Sequence, residues 1–287
     1  VVVQFSKHEG AGNDFLVLVD VEDRVHLTAA QVRALCDRRR GVGADGVIRV
    51  GPSGVGHGRS STDVWMELHN ADGSEAEMSG NGIRCLAQAA VDAGLVTPPR
   101  FTVATAAGIR TVDYRAGDRP GEAWASTAMG PARLGPEEPS GAPGHRARRV
   151  DVGNPHLVLF GLDGPDEIDV AAVGARLEAE TPGGVNVEFI ALGRGPDELR
   201  FRVWERGVGE TLACGTGSVA AAAAARSWGL VGARVLVHNP GGTLEVRLGP
   251  NEADSAILAG PVRRVADVTV DPAVLPADRR GPAAVPA

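Results

Sequence analysis

The chain has 287 residues, a formal net charge of -7, 39 glycines, 19 prolines and three cysteines, Cys36, Cys85 and Cys214. At about one domain per 150 residues, this length argues for two domains, each large enough for its own core. The acidic balance, with no basic run interleaved with aromatics, argues against a nucleic-acid partner; no apolar run has the length of a signal peptide core or a membrane span; and three cysteines make no disulfide framework, so the expected compartment is the reducing cytoplasm.

In chain order, strands are expected at Val1–Phe5 and Leu16–Val19. An initiator methionine is expected to have been removed or to precede Val1. Thr28-Ala29-Ala30-Gln31 is a capping-box pattern that opens a helix reaching about Asp37. Strands follow at Val47–Val50 and Asp63–His69, where Val64, Met66 and Leu68 alternate with Trp65, Glu67 and His69. Gly51–Ser61 between them reads as a mobile surface loop. A helix over about Asn81–Ala93 is closed by Gly94, and one over about Thr216–Trp228 by Gly229. Gly130–Gly144, rich in proline and glycine, is expected to connect the domains. Within the last helix, Val219–Ala225 has no polar face, which places it inside a core.

The chain repeats itself. Met78-Ser79-Gly80-Asn81-Gly82 and Ala213-Cys214-Gly215-Thr216-Gly217 lie about 135 residues apart, and each enters an alanine-rich helix. Gly12-Asn13-Asp14-Phe15 echoes Gly153-Asn154-Pro155-His156, and Ala106-Ala107-Gly108 echoes Pro240-Gly241-Gly242, at nearly the same offset. Three ordered pairs imply a duplicated unit. The period is too long for a solenoid, which repeats every ~20–50 residues. The expected fold class is α+β: two pseudo-symmetric domains, residues 1–130 and 149–263, each a curled mixed or antiparallel β-sheet around a central helix. Residues 264–287 read as a poorly ordered tail. Two such halves facing each other put the active site in the cleft between them and offer one ligand a reactive side chain from either side.

Both repeated motifs set a small reactive residue before a glycine at a helix start. Helix N-termini carry unpaired N–H groups and about half a positive charge, so Gly80, Asn81, Gly215 and Thr216 can hold one carboxylate. The same field is expected to lower the pKa of Cys214, making a thiolate that can take a proton from the carbon beside that carboxylate. Ser79 suits an N-cap as well as it suits a proton donor. Cys36 and Cys85 are expected in the core. Lys7 is the only lysine; pyridoxal phosphate needs a lysine for its Schiff base, and Lys7, just before a loop, reads as a surface charge. Gly41-Val42-Gly43-Ala44-Asp45-Gly46 fits neither a dinucleotide nor a P-loop signature. No cofactor and no metal is expected.

These residues resemble the diaminopimelate epimerase family, cofactor-independent enzymes that interconvert LL- and meso-diaminopimelate on the bacterial route to lysine and cell-wall peptide. The resemblance runs from His8-Glu9-Gly10-Ala11-Gly12-Asn13-Asp14-Phe15 to about Gly260. It takes in Arg40-Gly41-Val42-Gly43-Ala44-Asp45, Asn70-Ala71-Asp72-Gly73-Ser74, Asn186-Val187-Glu188-Phe189 and Glu205-Arg206-Gly207-Val208-Gly209-Glu210-Thr211. It implies two opposed acid/base residues, Cys214 and, where the family has its first cysteine, Ser79. It further implies that Gly80, Asn81, Gly215 and Thr216 hold the reacting carboxylate. Asn70 and Glu205 would meet the reacting ammonium, and Asn13, Asn154, Asn186 and Arg206 would clamp the far end, while His156 and Glu205 tune the proton movements. Many relatives carry glutamine where this chain has Gly46. A small amino-acid substrate and a homodimer are the implied partners.

Serine is a poor resting base, so slow or lopsided turnover is expected. Other readings stay open: an epimerase or racemase of a different amino acid, an amino-acid-binding homologue without turnover, and a thiol hydrolase using Cys214 with His156.

Overall fold

The computed structural model describes residues 2–54, 61–139, 145–161 and 164–276. In the first half these form β1 (Val3–Gly10), β2 (Asn13–Val19), α1 (Ala29–Cys36), β3 (Gly46–Pro52), β4 (Val64–Asn70), β5 (Glu75–Ala76), α2 (Gly80–Asp92), β6 (Arg100–Thr105), β7 (Gly108–Ala116), β8 (Glu122–Pro131) and β9 (Arg133–Glu138). The second half holds β10 (Arg146–Asp151), β11 (Pro155–Phe160), α3 (Val170–Glu180), β12 (Asn186–Leu192), β13 (Glu198–Glu205), β14 (Gly209–Thr211), α4 (Gly215–Ser227), β15 (Arg234–Asn239), β16 (Gly242–Arg247) and β17 (Ser255–Val270).

The duplication expected from the motifs is a duplication of pairing order. In the first half β1 pairs antiparallel with β2, β2 parallel with β3, β3 antiparallel with β4, β4 parallel with β6, and β6, β7 and β8 follow antiparallel. The second half repeats this series from β10 through β11, β12, β13, β15 and β16 to β17. Parallel pairs need crossovers, and the four helices supply them. The echoed glycines turn the same hairpins: Thr105 faces Gly108 in one half and Asn239 faces Gly242 in the other.

The two halves share their boundary. β17 pairs with β16 and with β8, then continues along β1 from Arg263 opposite Glu9 to Val270 opposite Val3. With β17 in place the first-half strands close into a ring around α2. Residues 264–270, expected in the tail, are therefore strand, held by the register with β1. The proposed connection over residues 130–144 is likewise strand in its first part, because β9 pairs with β10. Residues 55–60, 140–144 and 277–287 lie outside the described residues, and with them most of the expected loop and part of the expected connection and tail.

Each ring is filled by its helix. Ala220, Ala221, Ala222, Ala224 and Ala225 of α4 are fully buried, and small side chains let the surrounding strands approach from every side. α2 is buried almost as completely, with Ile83, Cys85, Leu86 and Ala87 at zero exposure. Its Arg84 is buried too; the guanidinium donates to Gly80 O at 2.9 Å, to Asn81 Oδ1 at 2.9 Å and to Pro261 O at 3.3 Å. α1 lies outside its ring, with Val32, Leu35 and Cys36 against Leu16, Leu18 and Val47.

β4 does not alternate in burial as its sequence does. Trp65, on the face opposite Val64, Met66 and Leu68, is buried under the Arg49 guanidinium at 5.2 Å from the ring centroid. Arg49 in turn is paired with Asp20 at 2.9 Å, Asp23 at 2.7 Å and Glu67 at 2.5 Å. An ion cluster centred on buried Arg49 covers that face in place of water.

Candidate active site

The N-termini of α2 and α4 meet. A Cβ built on Gly215 would lie 3.3 Å from Gly80 Cα and 2.9 Å from Leu258 Cδ2; one built on Gly80 would lie 3.6 Å from Gly215 Cα and 2.7 Å from the same leucine atom. At Gly215 a Cβ would press on the backbone of the other helix, whereas at Gly80 it would press only on the Leu258 side chain. Gly215→Ala is expected to cost about 1–3 kcal/mol as overpacking, measured as a lower melting temperature; an unchanged melting temperature would mean the contact is slack.

Each helix is capped by the residue before its glycine. Ser79 Oγ accepts from the Gly82 N–H at 3.0 Å, and Cys214 Sγ from the Gly217 N–H at 3.4 Å. Ser79 is thus a cap, and it also lines the cavity of about 1090 Å³ that Cys214 lines. The first amides of the two helices have no carbonyl a turn earlier to bond to, so two positive helix ends converge on one point of this cavity.

Beneath the two caps the halves differ. On the Cys214 side, buried His156 contacts Glu188 Oε1 through Nδ1 at 2.6 Å and Asn154 Oδ1 through Nε2 at 2.9 Å. Asn154 Nδ2 donates to Thr216 Oγ1 at 3.4 Å, and that hydroxyl lies 3.5 Å from Cys214 Sγ. Glu205, at the cavity wall, accepts from the Thr211 hydroxyl. On the Ser79 side the equivalent positions are apolar or neutral. Phe15 pairs with Gly46 as His156 pairs with Asn186. Ile48 lies under Gly82 where Glu188 lies under Gly217. Asn70 ends β4 where Glu205 ends β13.

This asymmetry overturns the expected thiolate. Burial pushes the Cys214 thiol well above its ordinary range, and the nearby Glu205 and Glu188 carboxyls push the same way; hydrogen bonds from Thr216 and Gly217 offset little of it. The helix field is real, but desolvation and two acidic neighbours outweigh it. Burial also raises Glu205 and Glu188, so the group of three resists carrying negative charge.

Of the other expected site residues, Asn13, Asn70, Gly80, Asn154, Glu205, Gly215 and Thr216 line the cavity. Asn81, Asn186, Arg206 and His156 are not among its walls. The side chain of Asn81 is held by Arg84 and reaches toward Asn13 Oδ1 at 3.4 Å. Asn186 accepts from the Arg206 backbone N–H at 3.0 Å and donates to Pro155 O at 2.9 Å, while the Arg206 guanidinium donates to Gly183 O at 3.2 Å. Gly46 is locally required: a Cβ there would sit 2.5 Å from His69 O and 3.1 Å from the Phe15 ring.

Sequence reading missed Arg38, Asp45 and Arg110, which also line the cavity. Arg38 bridges Asp14 at 2.6 Å and Asp45 at 2.7 Å, and Asp45 accepts from Asn13 Nδ2 at 2.7 Å. Asp45 ends the Arg40-Gly41-Val42-Gly43-Ala44-Asp45 motif, but no local pattern marks Arg38 or Arg110 as cavity residues. Lys7 is no free surface charge either; it pairs with Asp14 at 2.8 Å and donates to Gly43 O at 2.6 Å. Among the described residues, no group of three or more His, Cys, Asp or Glu side chains is placed to hold a metal ion, and no helix is long and apolar enough to cross a membrane.

The family model described as diaminopimelate epimerase matches residues 5–135 and 148–265. The chain is similar to the diaminopimelate epimerase of Mycobacterium ulcerans, 44% identical over 90% of this chain and 93% of that one. It is 41% identical to that of Thermobifida fusca over 92% of this chain and 97% of the relative. Among solved structures, a PhzF-family phenazine biosynthesis protein of Bacillus anthracis superposes with a TM-score of 0.72 at 16% identity, covering 94% of this chain and 99% of the other. A hydroxyproline epimerase of Agrobacterium vitis superposes with a TM-score of 0.69 at 17% identity, over 94% and 92% of the two chains. At such identities the structural matches show the shared fold.

Proposed function

The chain belongs to the diaminopimelate epimerase family, and from that premise we propose that it inverts an α-carbon of diaminopimelate, interconverting the LL and meso forms, between Cys214 and Ser79. The observation that carries this reading is the abutting pair of helix N-termini, with residues 79 and 214 lining one cavity on either side of them.

The carboxylate beside the reacting carbon sits against the amides of Gly80, Asn81, Gly215 and Thr216. When the α-proton leaves, its electron pair delocalises into those carboxylate oxygens. The helix ends therefore bind the developing dianion more strongly than the substrate, which is the condition for rate acceleration. Glu205, kept basic by burial, takes the Cys214 S–H proton; the resulting thiolate removes the α-hydrogen as a proton. The Ser79 hydroxyl delivers a proton from the opposite face. The proton left on Glu205 balances the one given by Ser79, and water carries it between them.

Asn13, Asn154, Asn186 and Arg206 clamp the distal amino-acid end. In this arrangement the Arg206 side chain must leave Gly183 O and turn toward the cavity, and a clamp of this kind supplies the orientation on which proton transfer depends. The only lysine is tied to Asp14, away from the cavity walls, which supports a route without pyridoxal phosphate. The family's place in lysine biosynthesis supports a cytoplasmic role.

One observation favours a second reading, an amino-acid-binding homologue without turnover: at rest Ser79 is engaged as a cap and Cys214 is held as a thiol. Incubation with LL- and meso-substrate in deuterated water separates the two. Loss of α-proton signal by NMR is expected with either isomer, first at the D centre of the meso form. Binding without exchange at any centre would sink the epimerase reading.

A further inference from the structure

The hydrogen bonds that run from Glu188 to Cys214 have a direction. Asn154 offers His156 its carbonyl oxygen, which can only accept, so His156 Nε2 must be the donor. Asn154 then gives its amide hydrogen to Thr216 Oγ1, which leaves the Thr216 hydroxyl hydrogen available to Cys214 Sγ, 3.5 Å away. Every donor along the chain faces the sulfur. The direction is set at the other end, on His156 Nδ1.

Glu188 occupies that end. It lies on β12, fully buried, with Oε1 at 2.6 Å from His156 Nδ1. Its second oxygen, Oε2, is buried without a hydrogen-bond partner. An ionised carboxylate with one oxygen unsolvated is costly in such a place. A neutral carboxylic acid donating its O–H to Nδ1 leaves only a weak acceptor unpaired, and burial favours that form. A neutral acid at Nδ1 forces the proton of the imidazole onto Nε2.

We propose that Glu188 is a positioning residue that acts as a buried hydrogen-bond donor to His156, fixing its Nε2–H tautomer and thereby aiming the Thr216 hydroxyl at Cys214. The first half has no counterpart, since Phe15 and Ile48 stand at the matching positions. The aimed hydroxyl stabilises the sulfur as it becomes an anion. The proposal rests on reading Cys214 as a proton-transfer group, but its test needs neither substrate nor turnover.

Two measurements on the free protein check it. Nitrogen-15 shifts of His156 in the wild type are expected to show a protonated Nε2 and a bare Nδ1 near neutral pH; the reverse pattern, or two protonated nitrogens, overturns the proposal whatever the variants do. The second is the rate of Cys214 carbamidomethylation by iodoacetamide at pH 8, followed by peptide mapping with buried Cys36 and Cys85 as internal references. Glu188→Gln, whose amide can still donate to Nδ1, is expected to stay within about twofold of wild type. Glu188→Leu, which cannot donate, is expected to be slower by on the order of tenfold, the loss of one hydrogen bond to a charged group. A folded Glu188→Leu protein that alkylates at the wild-type rate, or a Glu188→Gln protein as slow as Glu188→Leu, overturns it. Should Glu188→Leu fail to fold, the tautomer and the Glu188→Gln rate still decide.

Discussion

Ser79→Cys is expected to raise the rate of diaminopimelate epimerisation by about 10²–10⁴-fold, the span typical of one general acid or base. The site around residue 79 suits a thiol. It caps α2, lines the cavity and has Phe15 and Ile48 where the other half has His156 and Glu188. A buried cation lies close by: Arg84 donates to Gly80 O and to Asn81 Oδ1, one and two residues beyond the cap. A helix N-terminus and a buried guanidinium both favour a thiolate, whereas a serine hydroxyl in the same field stays protonated. The variant is therefore expected to hold one ionised thiol, at residue 79, and one protonated thiol, at Cys214, which is the pairing that two-sided proton transfer requires. Initial rates with each isomer measure the gain, and differential alkylation identifies the faster-reacting cysteine. Equal turnover in the two proteins would show that residue 79 takes no part in proton transfer.

Cys214→Ala is expected to remove α-proton exchange by at least about 10³-fold while leaving folding and substrate binding in place. Alanine is smaller than cysteine, and the cap it removes from the Gly217 N–H is worth only about 0.5–2 kcal/mol. The wild-type pH profile should carry the mark of the same group. Its pKa is raised, so the thiolate fraction, and with it the exchange rate, grows as pH increases through the alkaline range. In Cys214→Ala this alkaline rise should vanish. Exchange that survives in Cys214→Ala with the same rise would assign the base to another side chain.

The pairing of residues 79 and 214 was legible because its signals are local. A small polar residue, a glycine and an apolar helical run state a capped, buried helix within a few residues, and the same statement occurs twice. The hairpin glycines were legible for the same reason. What lies beneath the caps was not. Cys214 was read as a thiolate because the helix start is visible in its own motif, but the carboxyls that oppose ionisation come from β12 and β13. Glu188 was noticed only as part of a motif, and its partner His156 is 32 residues away. Arg38 carries no local mark of a site residue, because what holds it is Asp14 and Asp45 from other segments. The strand over residues 264–270 was missed because Arg263, Arg264, Val265 and Ala266 are exposed, so no apolar pattern marks them; only the register with β1 does.

That last strand has a consequence for synthesis. The ring around α2 is made of strands translated well before the second half, yet it closes only when β17 arrives between β8 and β1. Until then both flanking strands present open edges, and α2 has an unsealed wall. The earlier lobe thus waits for the last strand of the later one, and a nascent chain must guard the open edges of β1 and β8 until β17 has been made.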